Sequence, residues 1–412
     1  MNALNLFEPL TLPNGAVIPN RLAKAAMEEN MAAAGQVPDQ RLWRLYEAWA
    51  KGGVGLIITG NVMIDPRALT GPGGVVLQAS NDLAPFKRWA QAARSGGAQV
   101  WMQINHPGRQ VMAAMGQVAW APSAVNVDLG KHSKLIAPAQ AMSEAEIRLT
   151  IQRFADTAKQ AWAAGFTGVE IHAAHGYLLS QFLSPLVNQR TDQWGGCLAN
   201  RARFLLDVIA AVRASVPADF CVAVKLNSAD FQRGGFDVND AQAVVQMLND
   251  CAVDLVELSG GSYEAPAMQG ESKDGRSLAR EAYFLEFAAQ IAKTAKMPVM
   301  VTGGVRRKVI AEQVLQQGVA LVGMATALAM NPQLPNLWRA GQVINGAQPK
   351  VGLKDKVIAA LATMAIVKRQ LQRLGDGNQP KPHVNAVFTL IRDRFRTSQF
   401  TRRYRKWIAT QD

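Results

Sequence analysis

Cysteine is scarce in this chain, with Cys197, Cys221 and Cys251 the only three in 412 residues. None forms a CxxC pair, and an odd count cannot pair fully, so a disulfide framework and an all-cysteine metal site are both excluded. Histidine is scarcer than chance would favour, at five, and aromatic residues make up 7%. Long apolar runs are absent. The longest uncharged run of the C-terminal region, 357–367, falls far short of the roughly 20 residues that span a bilayer. The first residues lack a basic stretch followed by an apolar core, so no signal peptide is expected. No GxGxxG follows the first apolar run, which counts against a doubly wound dinucleotide fold. What remains is an ordinary globular mixture, 49% hydrophobic and 18% charged, which excludes disordered and collagen-like chains.

Acidic residues are also in deficit, 31 against 44 basic ones, giving a net charge of +13. The excess is local. Residues 346–412 hold 14 of the basic residues and four of the acidic ones, net +10; residues 1–345 are left with 30 and 27, net +3. A nucleic-acid reading of the whole chain loses its basis once the charge is placed in this way.

Short Val- and Ile-rich runs recur along the body, at 21–27, 54–62, 99–104, 168–174, 221–227, 254–259, 298–303 and 320–326. Such runs suit strands buried on both faces, as parallel sheets require. Helical stripes lie between them, at 39–51, 143–164, 239–251, 283–296 and 307–317. The helix at 143–164 opens on Ser143-Glu-Ala-Glu146, a capping box. Eight strands, most followed by helices, predict an α/β fold, a (β/α)8 TIM barrel over 1–345 with a basic helical C-terminal extension over 346–412. Helices are expected at 353–374 and 384–395, the second followed by a basic run with Phe400, Tyr404 and Trp407 interleaved.

A barrel gathers its active site from the C-terminal ends of its strands. Those ends carry Glu28, Gly60-Asn61, Gln103-Ile-Asn105-His106, His172, His175 and Tyr177, Lys225 and Asn227, Ser259-Gly-Gly261, and Gly303-Gly304. Two histidines three apart, then a tyrosine, can converge on one hydrogen-bond acceptor. The spacing is not HExxH and no third ligand presents itself, so no metal site is expected. Lys225 and Gln103 are polar groups inside apolar runs; a buried lysine requires an anion or an electron-rich partner, and an amide can both donate and accept. The Gly303-Gly304 turn, with Arg306 and Arg307 after it, suits a phosphate.

The chain resembles the Old Yellow Enzyme family of FMN-dependent ene-reductases and NADH:flavin oxidoreductases. The resemblance rests on Leu6-Phe-Glu-Pro-Leu10, Ile18-Pro-Asn-Arg21, Gly53-Val-Gly-Leu-Ile57, His106-Pro-Gly-Arg109, the His172/His175/Tyr177 cluster, Gln181-Phe-Leu-Ser-Pro185, Arg190-Thr-Asp-Gln-Trp-Gly-Gly196, Asn200-Arg201 and Val322-Gly-Met324, covering about residues 4–340. It implies FMN as cofactor and NADH or NADPH as reductant in a ping-pong cycle. Ala25, Ala26, Met27, Gly60 and Gln103 would line the flavin ring. Lys225 would sit by the N1 edge, and Gly303, Gly304, Ala325 and Thr326 would hold the phosphate. His172 and His175 would bind the oxygen of an α,β-unsaturated carbonyl or nitro compound, flavin N5 would supply hydride, and Tyr177 would supply the proton. Glu28 and Asn105 would face the substrate. The iron–sulfur branch of the family is disfavoured, since no cysteine follows Cys251.

Four positions bear on the family pattern: Lys225 stands for the common arginine, Thr326 for a phosphate-binding arginine and Glu28 for Thr or Cys, and Asn105 occupies a substrate-facing position that varies in the family. They leave a second reading open, a catalytically impaired or weakly flavin-binding barrel whose basic tail binds a membrane surface or a protein. The expected partner is a small electron-poor alkene, with no nucleic acid. The tail is expected to pack on the barrel or a partner subunit with its arginines reaching water; peripheral membrane contact through 384–408 and a homo-oligomer are left open, and the expected location is cytoplasmic.

Overall fold

The computed structural model describes residues 5–267, 281–282 and 284–411; Tyr283, with which one helix was expected to open, lies outside them. Eight short parallel strands form a closed ring: β1 Leu22–Lys24, β2 Leu56–Ile58, β3 Gln99–Asn105, β4 Gly168–Ala173, β5 Cys221–Asn227, β6 Leu255–Ser259, β7 Val299–Val301 and β8 Leu321–Met324. Each pairs with the next, and β8 pairs with β1. Seven helices cover the outside: α1 Gln40–Ala50, α2 Ala84–Arg94, α3 Glu144–Ala163, α4 Leu198–Ser215, α5 Val238–Leu248, α6 Leu285–Ala292 and α7 Lys308–Gln316. This is the (β/α)8 barrel expected from the strand spacing.

Local chemistry fixes the helix starts. Ser143 Oγ accepts the Glu146 N–H, and the Glu146 carboxylate accepts the Ser143 N–H at 2.6 Å, so the capping box at the head of α3 is complete. Asp39 caps α1 through the Arg41 N–H at 2.9 Å, and the α1 stripe Leu42, Leu45, Tyr46 and Trp49 is buried throughout.

Alternation along the strands separates two cores. Val169, Ile171, Val224, Leu226 and Leu258 pack with helix residues such as Phe154, Phe204 and Val244. Ala23, Leu56, Ile58, Trp101, Cys221, Ala223, Leu255 and Leu321 form a second cluster containing no helix residue, so they fill the barrel. Leu10, Leu12 and Ile18, from an antiparallel hairpin of Leu10–Thr11 with Val17–Ile18, belong to that inner cluster and close the N-terminal end. The inner core is therefore apolar at the bottom, and polar side chains are confined to the top.

The C-terminal extension forms α8, Lys356–Gly375, and α9, Ala386–Ile408. Sequence periodicity ended the second helix near Phe395; the structure continues it through the basic run. Asn385 caps it by accepting the Phe388 N–H at 2.9 Å, and no Gly or Pro follows to stop it. Its inward stripe is hard to read because arginines occupy part of it. Arg396 donates to Asn30 O at 3.1 Å, Arg403 donates to Ala32 O, and their guanidiniums lie 4.4 and 4.3 Å from the Phe400 ring centroid. Tyr404 is fully buried, donating to Pro66 O at 2.9 Å and accepting from Gln117. The aromatic residues that the sequence interleaves with basic ones are thus turned toward the barrel. Leu371 and Leu374 of α8 join the main core, and Asp376 pairs with Arg41 of α1 at 2.7 Å. Among the described residues, no helix is long and apolar enough to cross a membrane.

Tyr404→Ala should cost about 3–5 kcal/mol, as deletion of a large buried aromatic side chain does. The measurements are a lower denaturant midpoint and faster tryptic cleavage at the α9 arginines. An unchanged midpoint with an uncut helix would show that α9 is held by other contacts.

Candidate active site

Strand register sets the site. Glu170 lies opposite Gln103 on one side and Ala223 on the other; one row higher, His172 lies opposite Lys225, and Lys225 opposite Glu257. Residues two apart on a strand share a face, so Glu170, His172, Lys225 and Glu257 all turn inward at the top of the apolar column. Lys225 is 3% exposed and its ammonium is 2.7 Å from the Glu257 carboxylate, which is wholly buried. Gln103 donates to Glu170 at 2.5 Å. Burial first, and then the neighbouring Glu257 charge, hold the Glu170 carboxyl well above the usual range, so Glu170 is the protonated member of the carboxyl pair.

Above this layer is a cavity of about 150 Å³ lined by Ala26, Glu28, Asn61, Gln103, His172, His175, Tyr177 and Lys225. Most of the residues expected at the site meet there. Asn105 does not line it; its side chain is fully buried, with both polar atoms unpartnered, on the stretch of β3 that pairs with the short strand Val62–Met63. Among the described residues Glu28 forms no ion pair with a basic group. Its carboxylate accepts the Thr70 hydroxyl.

The His172 tautomer follows from its hydrogen bond. His172 Nδ1 accepts the Ala174 N–H at 3.2 Å, so the proton is on Nε2. His175 Nε2 shares a 2.7 Å bond with Ser259 Oγ, leaving Nδ1 as its free nitrogen. His175 has φ +60°, a strained conformation for a non-glycine residue, and is held there by Asn227 Oδ1 on its N–H and by the Gln110 amide on its carbonyl. Burial, and then neighbouring positive charge, push both imidazoles well below their ordinary range, so both are neutral near pH 7. The Tyr177 ring stands 4.9 Å from that of His172 at 88°. Burial, then Tyr263 and Glu28, raise its phenol well above the usual value and keep the O–H on.

Tyr263 is not legible at a strand end, because it lies beyond Gly261 on the loop that follows β6. Its hydroxyl lies 3.2 Å from that of Tyr177. The tetrapeptide Ser262-Tyr-Glu-Ala265 directly after the Gly-Gly pair was the available signal. Lys24 was also missed. It is fully buried under α1, donates to Ile58 O at 2.7 Å, lies 4.5 Å from the Trp49 ring centroid, and has its pKa pulled down to about 8 by burial.

The residues present fit the FMN that the sequence leads one to expect. Lys225 has donors left beyond its one carboxylate partner, and Asn61 Oδ1 is buried and unpartnered. Ala25 and Ala26 offer nothing beyond Cβ. At Gly60 a Cβ would lie 2.1 Å from the Glu29 carboxylate and 2.2 Å from Met27 O, so that wall stays bare. Met27 packs against the outer core. At the end of β7, Gly303 and Gly304 have φ +126° and +74°, and Ala325 and Thr326 lead into a short helix, Thr326–Met330. Among the described residues no arginine replaces the one missing at Thr326 in sequence; there, Arg306 and Arg307 approach the single carboxylate of Glu281, at 3.1 and 2.8 Å, which leaves one positive charge unmatched beside the glycines.

The profile of the NADH:flavin oxidoreductase / NADH oxidase family matches residues 5–343. The chain is 40% identical over 357 residues to the NADH-dependent flavin oxidoreductase iliE of Hypocrea jecorina (strain QM6a), covering 81% of this chain and 89% of that protein. It also superposes on an old yellow enzyme homologue from Zymomonas mobilis with a TM-score of 0.71 and 25% identity, over 84% of this chain and 95% of that one. A 2-naphthoyl-CoA reductase in complex with 2-naphthoyl-CoA shares the fold, with a TM-score of 0.79 at 24% identity; the chain spans 58% of its length.

Glu257→Gln removes the counter-charge of Lys225. The flavin potential should rise by tens of millivolts, about 30 mV for each 1.4 kcal/mol of a two-electron couple, because uncompensated positive charge favours the reduced anion. Spectroelectrochemistry reads this directly, and a fall in potential would contradict the pairing.

Proposed function

This chain belongs to the NADH:flavin oxidoreductase / NADH oxidase family and works with FMN as cofactor and NADH as reductant; on that premise we propose that it reduces the activated C=C bond of α,β-unsaturated carbonyl or nitro compounds. The supporting observation is that two neutral imidazoles and a protonated phenol line one cavity together with Lys225 and Gln103. A neutral histidine donates a hydrogen bond without bringing a proton that the substrate could take. His172 Nε2–H is free to donate to the substrate oxygen, and His175 Nδ1 is the second nitrogen facing it, so electron density drawn onto that oxygen leaves the β-carbon electron-poor. FMN, when bound, supplies hydride from N5. Tyr177 then gives its hydroxyl proton to the α-carbon. Ala25, Ala26, Met27, Gly60 and Gln103 would bound the ring, Lys225 would stand by its N1 edge, and Gly303, Gly304, Ala325 and Thr326, with the spare charge of Arg306 and Arg307, would hold the phosphate. Glu28 would limit which substituents enter.

Tyr177→Phe keeps the ring and removes the acid. The oxidative half-reaction with an enone should slow about 10²- to 10⁴-fold, while anaerobic reduction of the bound flavin by NADH is spared. Stopped-flow absorbance separates the two half-reactions. Equal loss in both would overturn the acid role.

We propose further that the outer face of α9 rests on the anionic, cytoplasmic leaflet of a membrane. Val387, Phe388, Ile391 and Phe395 are each more than half exposed on one face of the helix, flanked by exposed Arg392 and Arg394 and continued by Arg402, Arg405 and Lys406. Sedimentation with phosphatidylserine vesicles, but not with phosphatidylcholine vesicles, is expected, and should be lost in a Phe388→Glu/Phe395→Glu variant. Failure to sediment with either vesicle would end this reading.

A further inference from the structure

A phenol that surrenders its proton inside a buried pocket must be resupplied. Tyr177 is 6% exposed and shares its cavity with the Glu28 carboxylate. A phenolate left there would be desolvated beside a second negative charge, which is unfavourable on both counts. The donor within reach is another phenol. Tyr263 Oη lies 3.2 Å from Tyr177 Oη, with the rings 6.0 Å apart at 73°.

Tyr263 is fixed in place, although it lies on a loop past the end of β6. Its N–H donates to Gln110 Oε1 at 3.2 Å, and the same Gln110 amide donates to the carbonyl of His175, so one side chain sets the positions of both loops. The next residue, Glu264, pairs with Arg109 at 2.5 Å, the two side chains being 16% and 5% exposed. The other Glu264 oxygen accepts the Asp128 N–H at 2.8 Å, and Arg109 also donates to Val125 O and Asn126 O. Every link in this chain bears on the angle at which the second phenol faces the first. A loop tyrosine kept only for packing would not need it.

We propose that Tyr263 is a proton relay that reloads Tyr177 during the reduction of the alkene. The inference rests on the C=C reductase reading and deepens it. As the Tyr177 O–H bond breaks and a C–H bond forms at the α-carbon, the Tyr263 O–H bond breaks and the Tyr177 O–H bond re-forms. Tyr263, itself only half-buried, then recovers a proton from solvent water. One hydride from the reduced flavin and one proton from solvent are consumed per C=C bond, so charge and atoms balance. Burial, and next the charge of Glu28, push the Tyr263 phenol well above its ordinary value, which keeps it loaded between turnovers.

The test compares Tyr263→Phe with wild type and with Tyr177→Phe, all as FMN-loaded protein. In wild type the oxidative half-reaction with an enone should give a bowed proton inventory in mixed H₂O/D₂O, the sign of two protons in flight. Tyr263→Phe should give a linear inventory and a rate lower by roughly tenfold or more. Reduction by NADH, and reoxidation by ferricyanide, which requires no proton on carbon, should be unchanged. An unchanged inventory in Tyr263→Phe, or an equal slowing with ferricyanide, overturns the relay. If Tyr177→Phe is slow while Tyr263→Phe is normal, the relay fails and the reductase reading stands. A wild-type protein that turns over no enone overturns both.

Discussion

One ion pair inside the barrel governs the composition of its upper half. Lys225 and Glu257 are side by side on neighbouring strands with almost no access to water. Removing two charges from water is costly, and their attraction offsets that cost only when the surrounding polar atoms are also satisfied. Glu170 cannot carry a second negative charge against Glu257 and so keeps its proton, and Gln103 donates to one of its oxygens from the next strand. A fully apolar barrel would be the more stable arrangement, so the pair is best explained by what lies above it. It fixes a cation, close to neutralised and therefore tunable, at the floor of the cavity.

The substitution of lysine for arginine at this position has a consequence in the same terms. A guanidinium presents a planar fork, whereas an ammonium presents three rotatable donors. Lys225 can hold Glu257 with one and direct others upward. Glu28 and Thr326 are further departures, and both leave the top of the barrel less positive. Among the described residues the compensation is the one charge that Glu281 leaves unmatched on Arg306 and Arg307. The two departures thus act in the same direction.

Strand-level features were legible in the sequence because burial on both faces produces unbroken Val/Ile runs, and because a barrel places chemistry at one end of each. His172, His175, Tyr177, Gln103 and Lys225 were all visible as polar interruptions at the ends of such runs. Tyr263 was not, since it lies on a loop whose position depends on the Arg109–Glu264 pair, 155 residues apart in sequence. Asn105 shows the converse: a strand end looks available until a further strand pairs alongside it. Packing of the tail on the barrel was among the readings the sequence allowed, but which residues of α9 turn inward was hidden for a physical reason. Arg396 and Arg403 pack their stems against Phe400 and give their protons to main-chain carbonyls, so a stripe that reads as solvated is in fact inward.

Tyr404 is bonded to Pro66 across 338 positions of chain, and α9 also grips the carbonyls of Asn30 and Ala32, two and four residues beyond Glu28. On the ribosome, the barrel strands and the histidines emerge long before that helix does. The wall carrying Glu28 and Thr70 is therefore held by a helix made long after it, so the nascent barrel passes through a stage in which its strands are synthesised while that side of the cavity lacks the contacts of α9.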